Sequence, residues 1–512
     1  MRATDNAVYA KVYDDSTTTN QFTNSDKTIS AASIKWSKLT GTNAATSGTG
    51  VRKSVRPTNT SVLYCIATKN IYIDTETVSG DYELYQYRKL IVKEDPFSRV
   101  EYLGRNKNYR PASMDYTADE FNYGDWENAF FIKNLHVCVL NQDGTVNFEL
   151  DKNDYTKKLD GTASGIASTS LEGNVMVAFP TIYFKRETIG IWEYVSICNK
   201  QLDSSFKAYA HTDEFGNIIP YSFEPAFEGY IYNNVMRNIS GVVPSNTTTA
   251  SAEMAAAHAN NPAGKNMYEI WTQSSRQMVL DLLTLISCST DGQTSFGNGH
   301  YTGGSSASSL LQTGTLNTKG LFYGTTGNIN SKVFGIEAFY GDRWDRVAGL
   351  FYDAPNGGVF AKMTYGKQDG STVEGYNLTH DGSVLIPNSI IENDGGINDT
   401  SNKRYYGYIK REYVNEYGHY CKTVTSDGST STISTTDSNR NKYECDGIYA
   451  RYDDIKMAIA GGHCDIGFLV GPAYVNLCAA PSDANWSFGG ALSCKPDKDV
   501  QDSDTIVQSW IA

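Results

Sequence analysis

Apolar side chains along this chain occur mostly in short alternating runs, which predicts a protein built largely from β-strands. Residues 61–93 are the clearest example, because residues 82–92 read Tyr-Glu-Leu-Tyr-Gln-Tyr-Arg-Lys-Leu-Ile-Val and favour paired strands. Residues 1–60 are instead rich in Thr, Ser, Asn and Gly, as is typical of long loops between short strands. The sequence Glu94-Asp95-Pro96 predicts a break. We therefore place a domain boundary there and predict a β-rich N-terminal module in residues 1–95.

The pattern after this boundary remains mainly β, with two helices in the middle of the chain. Residues 97–190 hold apolar segments separated by Gly and Asp turns, so we expect a β-rich leading part of the body. Residues 251–260 begin with a capping Ser and an early Glu, which favours the start of a helix. Residues 272–287 carry apolar side chains around more than half of a helical circumference. We expect this second helix to pack deeply against a sheet.

Beyond Gly292 the chain returns to short segments punctuated by glycine, which rarely support long helices. Residues 391–402 and 423–441 are two hydrophilic loops in this part of the chain. Loops of this composition are usually tolerated surface insertions, and contact loops are the alternative.

Two segments, residues 332–349 and 485–494, combine large aromatic rings with glycines. Glycine permits sharp turns and close backbone approach while a neighbouring ring fills the core, so this composition is typical of scaffolding. We predict a structural frame that consists of Gly335, Gly341, Trp344, Trp486 and Gly489.

The charge pattern narrows the classes of function. The net charge is −13, whereas residues 1–95 carry 12 Lys and Arg against 10 Asp and Glu, so the acidic excess lies in the remainder. Neither part has a basic stripe, which argues against binding to nucleic acid or to an anionic membrane surface. No secretory pattern follows Met1, and no apolar run approaches the length of a membrane span. We therefore expect no membrane insertion and synthesis in a cytoplasm without signal-directed export.

The spacing of the cysteines and histidines gives little indication of a catalytic site. The nine cysteines include no C-x-x-C pair and the seven histidines no H-x-x-x-H pair, so we expect reduced thiols and no zinc site. His463, Cys464 and Asp465 place a base, a thiol and a carboxylate side by side. Neighbouring side chains diverge on a strand, so a flexible loop is favoured over nucleophilic chemistry.

Carboxylates are densest at Asp14-Asp15, Asp453-Asp454 and residues 497–504. None of these groups fits an EF-hand loop. Solvated acidic faces are the favoured interpretation, and a structural calcium ion is the alternative.

Glu337, Asp342 and Asp345 lie close together in the sequence and could suggest the carboxylate pair of a glycosidase. Sequence spacing does not establish the separation that such a pair needs. We instead expect hydrogen-bond anchors for the glycine-rich backbone, or partners of Arg343 and Arg346. The sequence thus predicts no catalytic residues and no cofactor.

The two aromatic-glycine segments resemble a known family. Residues 334–349, Phe-Gly-Ile-Glu-Ala-Phe-Tyr-Gly-Asp-Arg-Trp-Asp-Arg-Val-Ala-Gly, resemble the G-I-E-N-x-W-G-N-x-W-x-W-x-x-G segment of C-type-lectin-like folds in the formylglycine-generating-enzyme branch. Residues 485–496 are similar to the W-x-x-G-x-x-L-S terminal strand of that fold, as found in bacteriophage adhesins and in variable proteins of diversity-generating retroelements. Residues 209–217 and 287–299 are similar to stretches in tail or head-fibre proteins of gut bacteriophages. The resemblance covers roughly residues 97–512.

This chain departs from the family pattern at several positions. Tyr340, Asp342 and Arg346 stand where the family often has Trp or Asn. The enzymatic branch uses a close pair of redox cysteines in its C-terminal part, whereas Cys464 and Cys478 are separated by 13 residues. These departures argue against that enzymatic activity.

The resemblance implies an α+β fold: a β-rich attachment module in residues 1–95, the leading part in 97–190, and a C-type-lectin-like receptor-binding domain in 191–512. That domain would have two central helices and long irregular loops. The resemblance further implies a virion protein, a bacteriophage fibre or tail adhesin, that binds a host cell-surface glycan or protein non-covalently. Residues 1–95 would contact other virion proteins. A homo-oligomer, with a trimer as one form, would strengthen a weak single site.

In related retroelement proteins the variable residues lie just before the terminal strand, which corresponds here to residues 447–485. Aromatic and amide side chains in such a stretch stack on sugars or fill protein pockets. The predicted receptor-binding residues are Tyr449, Arg451, Tyr452, His463, Asp465, Phe468, Asn476 and Asn485. Two alternatives remain open: a purely architectural capsid or tail decoration protein, and an enzyme that degrades surface glycans or generates formylglycine.

Overall fold

The computed structural model describes residues 82–92, 99–361, 383–426 and 447–512, together with the backbone of three short strands near the N-terminus. The chain divides into two compact units, Met1–Asp74 and Thr75–Ala512. In the first unit, an antiparallel sheet contains β1 (Ala3–Thr4), β2 (Ala7–Lys11) and β3 (Trp36–Lys38), in that order.

The second unit is built mainly from strands. Those that the structure describes are β4 (Leu84–Leu90), β5 (Val100–Leu103), β6 (Ser113–Asp115), β7 (Glu120–Asn122), β8 (His136–Leu140), β9 (Val146–Asp151), β10 (Asp154–Lys158), β11 (Asn174–Pro180), β12 (Tyr183–Ile189), β13 (Trp192–Cys198), β14 (Tyr221–Pro225), β15 (Tyr230–Tyr232), β16 (Val235–Arg237), β17 (Tyr268–Ile270), β18 (Lys332–Val333), β19 (Ile336–Glu337), β20 (Trp344–Asp353), β21 (Gly358–Ala361), β22 (Val384–Leu385), β23 (Glu392–Asn393), β24 (Ile397–Asp399), β25 (Arg404–Asn415), β26 (Gly418–Thr425), β27 (Gly447–Arg451), β28 (Ile455–Ala460), β29 (Val475–Ala479), β30 (Phe488–Gly489) and β31 (Leu492–Cys494).

Helices occupy a smaller share of the same unit. In the described part of the chain, the α-helices are α1 (Phe130–Lys133), α2 (Ala250–His258), α3 (Gln273–Ser287), α4 (Gly292–Phe296), α5 (Lys498–Ser503) and α6 (Thr505–Ile511). Short 3-10 helices lie at Gly104–Asn106, Tyr209–His211, Ala307–Ser309, Ala354–Asn356 and Gly467–Leu469. With 37% strand and 16% helix, the mixed α+β class predicted from the sequence is confirmed.

The structure corrects the boundary predicted near residue 95. β4 pairs with β13 along its whole length and with β5 on its other side, and its residues Tyr85 and Tyr87 are buried in the core of the second unit. The division therefore lies between Asp74 and Thr75. A proline-containing acidic turn identifies a local loop, but it does not show which distant strand a segment pairs with.

The two helices predicted in the middle of the chain are present as α2 and α3. The side chain of Thr249 accepts a hydrogen bond from the backbone of Ala252 at the start of α2, two residues before the predicted start. Thr272 caps α3 in the same way. The apolar face of α3 is buried in the main core, as its sequence pattern predicts, and α3 ends at Cys288 in the left-handed region.

A seven-stranded sheet in the order β10-β9-β8-β11-β14-β31-β17 separates two hydrophobic cores. Alternate residues of β8 and β11 face opposite sides, so Val137 and Val177 lie in the core that contains α3, whereas Cys138 and Met176 face α2. The strands of this sheet come from both sides of residue 190. The expected division at that residue is therefore not a domain boundary.

The largest sheet runs β22-β21-β20-β28-β29-β27-β25-β26-β23, with β24 beside β25 and β30 beside β20. Its two ends are joined by residues 386–391, so the sheet must curl. The backbone of Ile386 donates to Val359 of β21 at 2.8 Å, while Lys422 of β26 donates to the carbonyls of Asn388 and Ile390, each at 3.1 Å. This short segment therefore closes the curl between the two sheet edges.

Of the two predicted hydrophilic loops, residues 391–402 contain the short strands β23 and β24. Residues 423–425 end β26, and residues 427–441 lie outside the described part of the chain. Asp14 and Asp15 also lie outside it.

The residues of the predicted structural frame differ in backbone geometry and burial. Gly335 and Gly341 have φ angles of +84° and +87°, which favour glycine. A side chain at Gly489 would overlap the Arg343 guanidinium. Trp344 is buried, whereas Trp486 is only half-buried and lies at the surface.

Candidate functional site

The outer face of the curled sheet carries a row of polar and aromatic side chains across three adjacent strands. β27 pairs antiparallel with β25 and parallel with β29, and the register aligns Tyr406, Tyr449 and Asn476. All three side chains are half-buried. We call Tyr406, Tyr449 and Asn476 the tyrosine row.

The alternation of β27 explains why the row faces outwards. Ile448 and Ala450 point into the core inside the curl, so Tyr449 and Arg451 must point to the opposite face. The strand thus uses one face for packing and the other for a surface of aromatic and charged groups.

Stacked rings fix the orientation of the row. The rings of Tyr406 and Tyr449 are 5.2 Å apart with an interplanar angle of 13°. Tyr449 lies 6.2 Å from the ring of buried Tyr474, which contacts Trp344 edge-on at 4.6 Å. The half-buried rings therefore rest on a buried aromatic base, so they would lose little conformational freedom on binding a ligand.

Arginine side chains flank the tyrosine row. The Arg404 guanidinium carbon lies 5.4 Å and 5.6 Å from the ring centres of Tyr406 and Tyr449, and its Nε donates to Asp399 at 3.0 Å. Arg451 is the cross-strand neighbour of Arg404 and donates to Asp453 at 2.7 Å. Burial raises the pKa of Tyr449, which keeps its hydroxyl protonated and able to donate.

Tyr452 belongs to a second pair of rings just beyond β27. Its ring lies 4.6 Å from that of Tyr405, and its hydroxyl donates to Asn398 Oδ1 at 3.3 Å. Both rings are half-buried. Tyr405 also packs against the core inside the curl, so this pair lies at the end of β27 and is separate from the tyrosine row.

The remaining predicted contact residues form a second patch near Trp344. The ring of His463 lies 6.1 Å from Trp344 and 5.3 Å from Trp486, and burial lowers the pKa of His463 to about 4. Trp344 touches both this patch and the base of the tyrosine row, so it connects the two surfaces. Trp486, expected as a frame residue, contributes to this surface instead.

Three other predicted residues lie in the loops around this second patch. Asp465 is exposed, and its backbone donates to Nδ1 of His463 at 3.3 Å. Phe468 packs 5.0 Å from the ring of Tyr301. Asn485 is exposed in the turn before β30, where its side-chain oxygen accepts from the backbone of Ser487 at 3.3 Å.

His463 and Cys464 point in different directions. The histidine ring contacts the two tryptophans, whereas the Cys464 sulfur lies 3.8 Å from the carbonyl of Gly304. Burial raises the pKa of the Cys464 thiol to about 12, and that of Cys478 to about 12 as well. Both thiols are free and are held in the protonated form, which is poorly nucleophilic.

Buried charges beneath the second patch hold the chain turns in place. Arg343 donates to Glu228 at 3.0 Å and to the carbonyl of Gly490 at 2.8 Å, while Arg346 Nε lies 2.9 Å from Glu253. These arginines therefore pair mainly with distant glutamates. Asp345 lies 3.8 Å from Arg343. This contact agrees with the expectation that carboxylates of this segment pair with Arg343 or Arg346.

The other two carboxylates of that segment also serve as anchors. Asp342 accepts from His300 at 2.6 Å and from the backbone of Leu311 at 2.9 Å. Glu337 accepts from the backbones of Thr315 and Leu316, each at 3.2 Å.

Within the described residues, members of the acidic groups considered as cation ligands have protein partners. Asp453 pairs with Arg451, and Asp454 with Lys456 at 3.0 Å. Asp504 caps the last helix. Among the described residues, no group of three or more His, Cys, Asp or Glu side chains is arranged to hold a metal ion.

Sequence reasoning named Tyr449, Arg451 and Asn476, which the structure brings together, but it missed Arg404 and Tyr406 in the same surface. These two residues lie on β25, far from β27 in the sequence, so only the strand register reveals them. The alternation of residues 404–408, Arg-Tyr-Tyr-Gly-Tyr, was the available signal for a strand with one aromatic face.

No protein-family model matches the chain, and no curated protein matches it either. Within the described ranges, no helix is both long enough and apolar enough to cross a membrane.

Proposed function

We propose that this protein is a structural component of a bacteriophage virion, a fibre or tail adhesin that binds a host cell-surface receptor without a covalent step. The observation that carries the proposal is the tyrosine row with its flanking arginines. Half-buried rings that are stacked and preorganised suit the faces of sugar rings or apolar side chains of a protein.

We further propose that the second unit is a C-type-lectin-like domain, on the strength of the aromatic-glycine segments and the curled sheet that they adjoin. The receptor would be a glycan or a protein on the host surface. The first unit, residues 1–74, is the proposed contact with other virion proteins, in place of the 1–95 module expected from the sequence, and the protein would be located in the virion. No bound cofactor is needed for such recognition, and a structural calcium ion stays a separate possibility for experiment.

The test is binding of the full chain to bacterial cells and to a glycan array. We expect Tyr449→Ala and Tyr406→Ala to weaken binding at least tenfold, because truncating a central aromatic contact typically costs about 2 kcal/mol or more. Tyr232→Ala is the matched control, since Tyr232 is 41% exposed in a stacked pair on β15, away from this surface.

Unchanged cell binding in both tyrosine-row variants would refute the proposed site. A full chain that binds no cell or glycan would favour an architectural role, and release of reducing ends from host glycans would favour an enzyme. Light scattering on the purified chain tests the proposed homo-oligomer, which a stable monomer at high concentration would exclude.

A further inference from the structure

A cavity of about 80 Å³ lies inside the curled sheet, between its inner face and α3. Most of its wall is aliphatic and comes from several strands, including Val347 and Leu350 of β20, Ile448 of β27 and Leu477 of β29. These four side chains are almost fully buried. The cavity is distinct from the tyrosine row, which lies on the opposite face of the same strands.

The helix that covers the cavity presents polar side chains to it. Gln273, Arg276, Gln277 and Leu280 line the cavity, and their spacing places them along one face of α3. The opposite face of the helix supplies Leu282, Ile286 and other apolar residues to the main core. Gln277 donates to Asp281 at 3.3 Å and Arg276 to the carbonyl of Phe339 at 3.1 Å. These side chains are therefore held in place by the protein, and they bring polar groups to one side of an otherwise aliphatic cavity.

The strands β25 and β26, which form a hairpin, each contribute one residue to the polar end of the cavity. Glu412 and His419 line it, and His419 Nδ1 lies 3.4 Å from the amide nitrogen of Gln277. His419, Leu280 and Val475 are only half-buried. The cavity therefore opens beside its polar end.

The ionised groups around this end already have protein partners. Arg276, which lines the cavity, donates to the carbonyl of Phe339 at 3.1 Å and attracts the charge of nearby Asp345. Glu412 accepts from Lys89 at 2.9 Å. Arg186 contacts Glu193 at 2.9 Å and also pairs with Asp281. An ionised ligand would add a buried charge without a counter-charge, which is costly.

The aliphatic part of the cavity is small. About 80 Å³ is roughly half of the volume of an engineered cavity that holds a benzene ring, about 150 Å³. A narrow alkyl chain suits this space better than a ring, particularly when one end of the molecule reaches the opening.

We propose that this cavity binds a short, neutral aliphatic molecule that carries one hydroxyl or amide group. The alkyl chain occupies the space between Leu350, Ile448 and Leu477, and the polar group lies at Gln277 and His419. This inference does not depend on the receptor-binding proposal, because it concerns the inner face of the sheet.

The experiment uses a series of straight-chain primary alcohols from propanol to octanol, with methyl NMR on the full chain as the readout. The methyl signals of Leu350 and Ile448 are expected to shift and saturate. Affinity is expected to rise about fourfold for each added methylene and to stop rising once the cavity is full. Hexanoate and hexylammonium are expected to bind at least tenfold more weakly than hexanol.

Two variants test the location. Val475→Phe fills the half-buried opening, and Ala460→Leu fills the inner wall, so each is expected to weaken hexanol binding at least tenfold. Val235→Phe is the matched control on a half-buried strand position of the β15–β16 hairpin, and it should bind hexanol like the original chain. Circular dichroism establishes whether each variant is folded. If Ala460→Leu does not fold, Val475→Phe alone is enough to test the location of the ligand.

The proposal is overturned if the two methyl signals show no saturable shift with any alcohol, or if folded Val475→Phe binds hexanol as tightly as the original chain. Equal affinity for hexanol and hexanoate would also contradict it, because the cavity would then not select a neutral ligand.

Discussion

At the scale of single residues, Arg343 shows how the buried charges depend on one another. Its side chain is fully buried and donates to Glu228 at 3.0 Å, and burial together with neighbouring Asp342 raises the pKa of Glu228 well above its usual value. Arg343→Met leaves these carboxyl groups without their cation. We expect a loss of about 3–5 kcal/mol in the free energy of unfolding, measured with urea.

The double variant Arg343→Met with Glu228→Gln is expected to recover part of that loss, because it also removes the buried carboxyl group that has lost its partner. Arg110→Met is the control, since Arg110 forms an exposed pair with Asp125 at 2.8 Å and its loss should change stability little. Equal effects of the Arg343 and Arg110 substitutions would contradict the importance of the buried network.

Asp345 makes the free energy of unfolding depend on pH. Burial raises its pKa to about 6, compared with about 3.9 in an unfolded chain. The folded state therefore binds the proton more tightly, so its contribution to stability is complete below about pH 4 and is lost as the pH rises to about 6. In Asp345→Asn, stability should no longer fall over this interval, as urea unfolding at several pH values will show.

His211 provides a contrast of opposite sign. It is fully buried, and burial lowers its pKa to about 3, so its contribution to stability is lost as the pH falls below about 6.5. His211→Gln should therefore flatten the acid side of the profile and leave the Asp345 contribution in place. Identical profiles for Asp345→Asn and the original chain would rule out the assigned role of Asp345.

At the scale of elements, α3 has two faces with different energetic roles. Leu282 is fully buried in the main core, whereas Leu280 is half-buried beside the cavity. Leu282→Ala is expected to cost about 2–5 kcal/mol, since it removes buried methyl groups and leaves a void. Leu280→Ala is the same substitution two residues away and should cost less than half as much by urea unfolding.

A larger loss for Leu280→Ala than for Leu282→Ala would mean that the helix is oriented the other way round. The comparison tests orientation directly, because both substitutions have the same effect on intrinsic helix propensity.

The elements also show what sequence alone can predict. α3 was predictable because its capping Thr272 and its apolar periodicity are both local signals. The partners of β4 were not, because pairing with β13 depends on residues a hundred positions away. For the same reason the sequence identified Tyr449 and Asn476 as candidates but not Tyr406, whose position in the row depends on the register between β25 and β27.

At the scale of the whole molecule, the boundary between Asp74 and Thr75 has a direct test. A fragment of residues 75–512 should fold cooperatively, whereas residues 96–512 should unfold at a temperature lower by at least about 5 °C or fail to fold. The shorter fragment lacks β4, so the edges of β13 and β5 that pair with β4 have no partner strand. It also lacks two buried tyrosines, which lowers its stability. Calorimetry and circular dichroism measure the difference.

A fragment beginning at residue 96 that is as stable as one beginning at residue 75 would restore the boundary expected from the sequence. Cell binding by the folded 75–512 fragment separates this question from receptor recognition, because the tyrosine row lies entirely within that fragment.

The two-residue alternation of β27 has a consequence for how the protein can change. Residues 449 and 451 face outwards while 448 and 450 fill the core inside the curl, and Tyr449 also packs against the smaller cluster that contains Trp344 and Tyr474. Under the proposed function, substitution of Arg451 would alter the bound partner at little cost to the core, whereas substitution of Tyr449 would also disturb its stacking on Tyr474. A chain organised in this way can acquire new specificities one residue at a time and keep a single fold.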